Sequence, residues 1–364
     1  MYETDLTGLE NMLRQMPIMA EMQRLSLVFL PDDVRKFARA WDVAVELDTP
    51  KPLLPEPMIA LEIEPALRHR LPVVRCTHDP LTTELNRVLL KRYELIATSM
   101  LRQSQVTDKI APCADAESVV LMLVDGLSYA DLKRYANQWL SHTTPVLVDG
   151  VSNTEQGMLR NIGRPALAQR LFDIGFRNCI GFTYWERAEE PITDRLFTGF
   201  GDRVHKVKSF DEALTRLEQK CDNELRGIFI QIVRAGLDNV AHRQREIPNI
   251  AACVTEIMTD FERLASFFER RKVATQLYLL ADHGILWAQE HNLQVYEFST
   301  AEHPRYYEHA RHSEYVLTVE FEGKEFALLD YPYLRRELRA NEWGVHGGLS
   351  FEESIVPFVS LRVA

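Results

Sequence analysis

The sequence predicts an α/β fold: a mostly parallel sheet with helices on both faces, preceded by a mainly helical N-terminal module. Three observations carry this expectation. Short apolar runs of Val, Ile and Leu recur from Ser118 onward, as strands buried on both faces require. Stretches with helical spacing separate them, and alternation of this kind marks a parallel sheet covered by helices. Several runs also end on polar residues, and an open parallel sheet collects its ligands at the carboxyl ends of its strands.

Taken in order, residues 1–115 form the first expected module. "LTGLENMLRQMPIMAEMQRL" and "PLTTELNRVLLKRYELIATSMLRQSQ" space their Leu, Met and Val as helices do, and the proline-rich "TPKPLLPEPM" between them reads as a connector. Residues 116–364 form the second module. Its expected strands are "VVLMLVD", "TPVLVDGVS", "NCIGFTY", "GIFIQIV" and "QLYLLAD". Between them, "YADLKRYANQWL", "EQGMLRNIGRPALAQRLFDIG", "FDEALTRLEQKC" and "IPNIAACVTEIMTDFERLASFFERR" read as helices. Near the end, "EYVLTVEFEGKEFALLD" alternates apolar and polar residues around a Gly, the pattern of an antiparallel hairpin. The last run, "SIVPFVSLRV", is expected to close the sheet, with Pro357 favouring an edge position.

Bulk properties narrow the function classes. The 364 residues are 46% hydrophobic and 26% charged, an ordinary globular balance. A net charge of −11 argues against a protein that coats nucleic acid through clustered Lys and Arg. The five cysteines form no CxxC pair, which suits reduced thiols and a cytoplasmic setting. The acidic start "MYETDLTGLENMLRQ" does not read as a signal peptide. No apolar run approaches the roughly 18 residues needed to span a bilayer, so no membrane partner is expected.

Four strand ends carry chemistry. "VVLMLVD" delivers Asp125, and "PVLVDGVSNTEQG" delivers a Ser-Asn-Thr turn with Thr154 at or near a helix N-cap. "GIFIQIVRAGLDNVAH" delivers Asp238 and, one helical turn on, His242, while "QLYLLADHG" delivers Asp282 and His283. His346 follows in "GVHGGLS". Imidazole and carboxylate together suit zinc, with manganese or iron as alternatives. Three aspartates at one sheet edge repel one another unless cations neutralise them, and two divalent ions would do so. Thr154 is the candidate nucleophile, because metal coordination activates a weak hydroxyl and a helix start holds anionic oxygen. Ser152 is its rival. Asn153, Arg160 and Arg164 follow as candidate phosphate contacts, and His309, Arg311 and His312 as a candidate substrate rim. Tyr306 and Tyr307 are candidates for stacking on a base.

On "LVDGLSYADL", "VSNTEQG", "GLDNVAHR", "LLADHG" and "GVHGGLSFEESIVPFV", the chain from Ser118 onward resembles the alkaline phosphatase superfamily, most of all its PglZ-domain branch. The resemblance implies an alkaline-phosphatase-like fold with two metal sites. Asp125, Thr154, Asp282 and His283 would hold one ion; Asp238, His242 and His346 would hold the other. It implies phosphoryl transfer through a covalent intermediate on the Ser or Thr. The "S-x-T" turn is similar to that of phosphodiesterase-type members and lacks the C/S-x-P-x-R setting of sulfatases. The expected activity is a zinc- or manganese-dependent phosphodiesterase or phosphatase. Its expected substrate is a phosphorylated small molecule, a nucleotide or a short oligonucleotide, with phage defence or signalling as the setting. Two alternatives stand beside it: a phosphomonoesterase, and a non-catalytic or nucleotide-binding scaffold in a BREX-like complex with defence-system protein partners.

Overall fold

The computed structural model describes residues 101–363, apart from 113–115, 186, 244–245 and 298. Of the first hundred residues it describes 43–45, 71–74, 86, 89–90, 93–94, 96–98 and 100. By its contacts the chain divides into two units. The smaller comprises Met1–Met100, Asp330–Pro332 and Leu349–Phe351. Its described positions between 86 and 98 are helical, as the spacing of Leu and Val there predicts. It also holds a parallel pair, Val43–Val45 with Leu71–Val74, which periodicity had not suggested. The expected helix over "LTGLENMLRQMPIMAEMQRL" and the connector "TPKPLLPEPM" lie outside the described residues. The larger unit comprises Leu101–Leu329, Tyr333–Gly348 and Glu352–Ala364.

The larger unit is built on an eight-stranded sheet. Its strands are β1 (Leu101–Arg102), β2 (Ser118–Asp125), β3 (Thr143–Leu147), β4 (Asn178–Tyr184), β5 (Val204–Lys206), β6 (Ile228–Ala235), β7 (Thr275–Ala281) and, last in the chain, Ile355–Val363. Helices alternate with them: α1 (Tyr129–Tyr135), α2 (Thr154–Ile162), α3 (Leu167–Asp173), α4 (Phe210–Glu218), α5 (Leu237–Arg243) and the long α6 (Ile250–Arg271). The expected "EQGMLRNIGRPALAQRLFDIG" helix is therefore two, α2 and α3, parted at Gly163 and Pro165, where a positive φ and a missing N–H end the first. All eight residues of β2 are buried, which explains its unbroken apolar run. α2 packs on β2 and β7, while α1 and α6 pack on each other and on the last strand.

Three short strands form a separate antiparallel sheet: β8 (Tyr306–Tyr307), β9 (Val316–Phe321) and β10 (Lys324–Leu329), in the order β8-β10-β9. β9 and β10 are the expected hairpin, turned by Glu322 and Gly323 with φ of 54° and 75°, the backbone a tight two-residue hairpin turn requires. The last strand of the main sheet is β11 (Ile355–Val363), and the full order is β1-β3-β11-β7-β2-β6-β4-β5. Every neighbouring pair is parallel except those of β11, which runs antiparallel to both β3 and β7.

The edge position expected from Pro357 is thus corrected: β11 is internal. Pro357 faces Pro145 of β3, and pairing with β7 begins only at Phe358, so its missing N–H removes no rung of that ladder. Cys179, Cys221 and Cys253 are free thiols. Among the described residues, no helix is long and apolar enough to cross a membrane.

Leu123 lies in the middle of β2 and is wholly buried. Leu123→Ala should cost about 2–5 kcal/mol in urea unfolding, by lost transfer energy and the cavity left. A loss below about 1 kcal/mol would mean that the packing around β2 is not as described.

Candidate metal centre

Four parallel strands deliver the site at their carboxyl ends. β2 ends on Asp125, β3 runs into the turn that starts α2, β6 leads into α5, and β7 leads to Asp282 and His283. Backbone bonds hold these ends in register: Leu237 N donates to Gly126 O (2.8 Å), Leu127 N to His283 O (2.8 Å) and Asp282 N to Val124 O (3.3 Å). The three acidic residues from β2, α5 and β7 are brought to one edge by strand neighbourhood alone, since β2 lies between β6 and β7.

Asp282 and His283 are adjacent in sequence, yet both face the site. Asp282 Oδ1 accepts two backbone bonds, from Gly126 N and from His283 N, each 2.8 Å. Its Oδ2 is buried, has no hydrogen-bond partner, and lies 3.5 Å from His283 Nε2. His283 Nδ1 sits 3.0 Å from the Gly284 carbonyl. A carbonyl only accepts, so Nδ1 carries the proton and the neutral ring turns its Nε2 lone pair toward Asp125 Oδ1, 3.7 Å away.

His346 repeats the device, with Nδ1 3.0 Å from the Ser152 carbonyl and Nε2 3.1 Å from Asp238 Oδ1. His242 Nε2 lies 3.3 Å from the same oxygen, which nevertheless receives no well-formed hydrogen bond. The His283 and His346 rings stack, with centroids 4.0 Å apart and planes 16° apart. Asn341 Nδ2 donates to the His242 carbonyl (2.7 Å) and Trp343 N to the Ala241 carbonyl (2.8 Å), so α5 anchors the segment that carries His346.

Thr154 opens α2. Asn153 caps the helix, its Oδ1 accepting from Gln156 N at 3.0 Å. The Thr154 hydroxyl lies 3.3 Å from Asp125 Oδ1 and 3.2 Å from His283 Nε2. Ser152 is turned elsewhere: its hydroxyl donates to Gly348 O (2.9 Å) and accepts from Gly347 N (3.0 Å), tying the turn to the "HGG" segment. Gly157 allows α2 to lie flush on the site, because a Cβ there would fall 2.3 Å from the Asp282 carbonyl oxygen.

Electrostatics divide the cluster. Burial pushes the Asp282 carboxyl up to about 7, and the Asp238 charge adds to this against the opposing Gly126 N–H bond. Burial, with His346 nearby, holds the His283 imidazole well below its usual range. For Asp238 burial is outweighed by His346 and His242, which hold its carboxyl well below the usual carboxylate range. His346 is raised, its burial outweighed by the Asp238 carboxylate. Asp282 and His283 side chains are sealed, whereas Asp238 and His242 are 23% and 27% exposed, so the centre opens on the α5 side.

The fit to divalent ions is a matter of donor chemistry. Two sets of ligand atoms lie within 4.8 Å of one another: Asp125, Asp282 and His283, and Asp238, His283 and His346. Orphaned buried carboxylate oxygens and imidazole lone pairs aimed at carboxylates are the arrangement that a cation completes. His283 belongs to both sets, a sharing that residue spacing alone does not reveal.

The remaining candidates have other places. Arg160 is buried with Nε on Gln103 Oε1 (2.9 Å) and Nη2 on the Val151 carbonyl (2.6 Å), so it braces the turn before Thr154. Asn153 Nδ2 reaches Tyr306 Oη at 3.3 Å. His312 is exposed, and Arg311 pairs with Glu297. Exposed Arg164 pairs with Glu322 at the hairpin turn. Tyr306 and Tyr307 are buried, which leaves neither ring face for a base; His303 stacks on Tyr306 and His309 meets Tyr307 edge-on. Sequence reasoning missed Gln103, whose Nε2 donates to the carbonyls of Ala281 (3.0 Å) and Asp282 (2.6 Å), and Asn161, which donates to Ala281 O at 2.9 Å. "LRQSQ" carries no local signal of such a contact.

No family model matches the chain, and no curated protein matches it. Among solved structures, murine ectonucleotide pyrophosphatase/phosphodiesterase 5, an inactive form in complex with AMP, is 11% identical with a TM-score of 0.44, covering 67% of this chain and 87% of its own. Phosphonoacetate hydrolase from Sinorhizobium meliloti 1021 is 12% identical at a TM-score of 0.43, over 68% of this chain and 91% of its own. TAB5 alkaline phosphatase is 10% identical at 0.34, over 68% and 91%.

Gly157→Ala should lower stability by about 1–3 kcal/mol, because the added methyl must displace either α2 or Asp282. Urea unfolding measures it, and an unchanged midpoint would contradict the close approach of helix and carbonyl.

Proposed function

We propose that this protein is a two-metal phosphoric ester hydrolase, favouring phosphodiesters of nucleotides or short oligonucleotides and working through a phosphorylated Thr154. The observation that carries the proposal is the Thr154 hydroxyl at the start of α2, within reach of both Asp125 and His283, whose Nε2 also lies 3.5 Å from the orphaned Asp282 Oδ2. Asp125, Thr154, Asp282 and His283 would hold one ion, and Asp238, His242 and His346 the other, with zinc first and manganese second by ligand type. When bound, such ions neutralise developing phosphoryl charge and lower the pKa of coordinated oxygen.

The chain's own groups supply the rest. Asp125 Oδ1 and His283 Nε2 lie beside the Thr154 hydroxyl and place its oxygen. With both committed as ion ligands, the hydroxyl proton would pass to solvent, leaving an oxygen lone pair for phosphorus, and solvent would return a proton to the leaving alcohol. A Thr154 Oγ1–phosphorus bond forms as the bond to the leaving alcohol breaks. Water then displaces the threonine, giving the phosphorylated product and restoring the hydroxyl. The first turn of α2 has N–H groups without intrahelical acceptors, suited to a non-bridging phosphoryl oxygen. The more exposed Asp238 and His242 form the side from which substrate enters. The diester preference draws on the resemblance of the "S-x-T" turn to phosphodiesterase-type members.

In zinc-reconstituted protein, Thr154→Ala should lower hydrolysis of bis-p-nitrophenyl phosphate by at least about a thousandfold while the melting temperature stays near that of the parent. Retained activity would remove Thr154 as nucleophile. Metal uptake should also depend on pH. In the metal-free chain the Asp282 carboxyl, raised to about 7, is protonated below that value, and a divalent ion must displace the proton. Zinc affinity should therefore weaken by up to about tenfold per pH unit as pH falls below about 7, with proton release on binding. Calorimetry in buffers of different ionisation enthalpy measures this, and pH-independent binding without proton release would contradict it.

A further inference from the structure

Behind the two stacked imidazoles lies an ion pair that the proposed chemistry does not use. Arg305 and Glu353 both have fully buried side chains. Arg305 Nε donates to Glu353 Oε1 at 3.1 Å and Nη2 to Oε2 at 2.8 Å, a two-pronged match of guanidinium and carboxylate. A buried pair of this kind contributes little more to stability than well-packed apolar residues of similar size. Its surroundings supply another role.

Glu353 touches both histidine-bearing segments. Its Oε1 accepts from Gly348 N at 2.9 Å, two residues beyond His346. Its backbone carbonyl accepts from Gly284 N at 3.0 Å, one residue beyond His283. Arg305 fixes the pair from the other side. Its guanidinium lies so close over Gly348 that a Cβ there would fall 2.6 Å from it, and its Nη1 bonds the Tyr333 carbonyl. The Arg305 carbonyl accepts from Leu329 N at 2.9 Å, joining it to β10. Two loops 63 positions apart in sequence (346 minus 283) are thus pinned to one residue, the His346 loop by the Glu353 carboxylate and the His283 loop by its backbone carbonyl, and their imidazoles stack at 4.0 Å.

We infer that the Arg305–Glu353 pair is a positioning device that sets the register of His283 against His346, and so the spacing of the two metal sites. This rests on the proposed metal-dependent function. Arg305 and Glu353 act through Gly284, Gly348 and the histidines, so they are positioning residues and not catalytic ones. Outer partners of this kind change metal affinity or turnover by about 10–100-fold when removed.

The test uses the full chain with two variants. Arg305→Lys keeps the charge and loses the planar fork; the double variant Arg305→Met with Glu353→Leu replaces the pair by apolar side chains of similar size. Zinc titration of each folded variant should show binding about 10–100-fold weaker, and reconstituted protein should show a lower kcat at nearly unchanged KM. Melting temperatures within a few degrees of the parent would separate positioning from unfolding. Should the double variant not fold, Arg305→Lys carries the same measurement. A folded variant with parental zinc affinity and kcat overturns the inference while leaving the proposed function intact. A parent protein that takes up no zinc overturns the proposed function and the inference with it.

Discussion

The larger unit is organised around an electrostatic conflict at the carboxyl edge of its sheet. Three aspartates from β2, α5 and β7 converge there, and the neighbouring imidazoles relieve the conflict only in part: His346 and Asp238 favour each other's charged forms, while burial holds His283 neutral. Because Nδ1 of His283 and of His346 is committed to a backbone carbonyl, each ring directs Nε2 at a carboxylate. In the neutral ring that atom is a lone pair facing negative charge, an arrangement that only a proton or a metal ion makes favourable. Asp282 Oδ2, sealed and without a hydrogen bond, poses the same demand 3.5 Å from His283 Nε2.

Much of the scaffold serves to maintain this arrangement. α2 lies flush on Asp282 through Gly157, and Ser152 spends its hydroxyl on Gly347 and Gly348, leaving Thr154 to face Asp125. Arg160 and Gln103 link the turn before Thr154 to the Asp282 carbonyl. Asn341 and Trp343 fasten the His346 segment to α5. Carboxylates and imidazoles are held by backbone groups wherever the backbone can reach them, so that their remaining atoms point at one space. A site built this way loses little order when an ion enters, because its ligands are already oriented.

What the sequence made legible was local. Asp125 and Asp282 stood out because each closes an apolar run, Asp238 because it follows one and is paired with His242 a helical turn on, and the β9–β10 hairpin stood out through its alternation around Gly323. Non-local pairing was hidden. Nothing in "SIVPFVSLRV" reveals that β11 inserts between β3 and β7, since the location of Pro357 opposite Pro145 depends on register across the fold. Arg160 reads as a phosphate contact by its distance from Thr154 along the chain, but the helix turns it toward Val151 and Gln103. Arg305 and Glu353 lie 48 positions apart (353 minus 305), and no periodicity links an arginine in "EHPR" to the glutamate of "FEES".

The most direct measurement is anomalous scattering at the zinc edge from crystals of zinc-loaded protein. Two peaks are predicted, one among Asp125, Asp282 and His283 and the other beside Asp238 and His346. Peaks elsewhere, or no ordered zinc at the sheet edge, would contradict the account that cations resolve the conflict there.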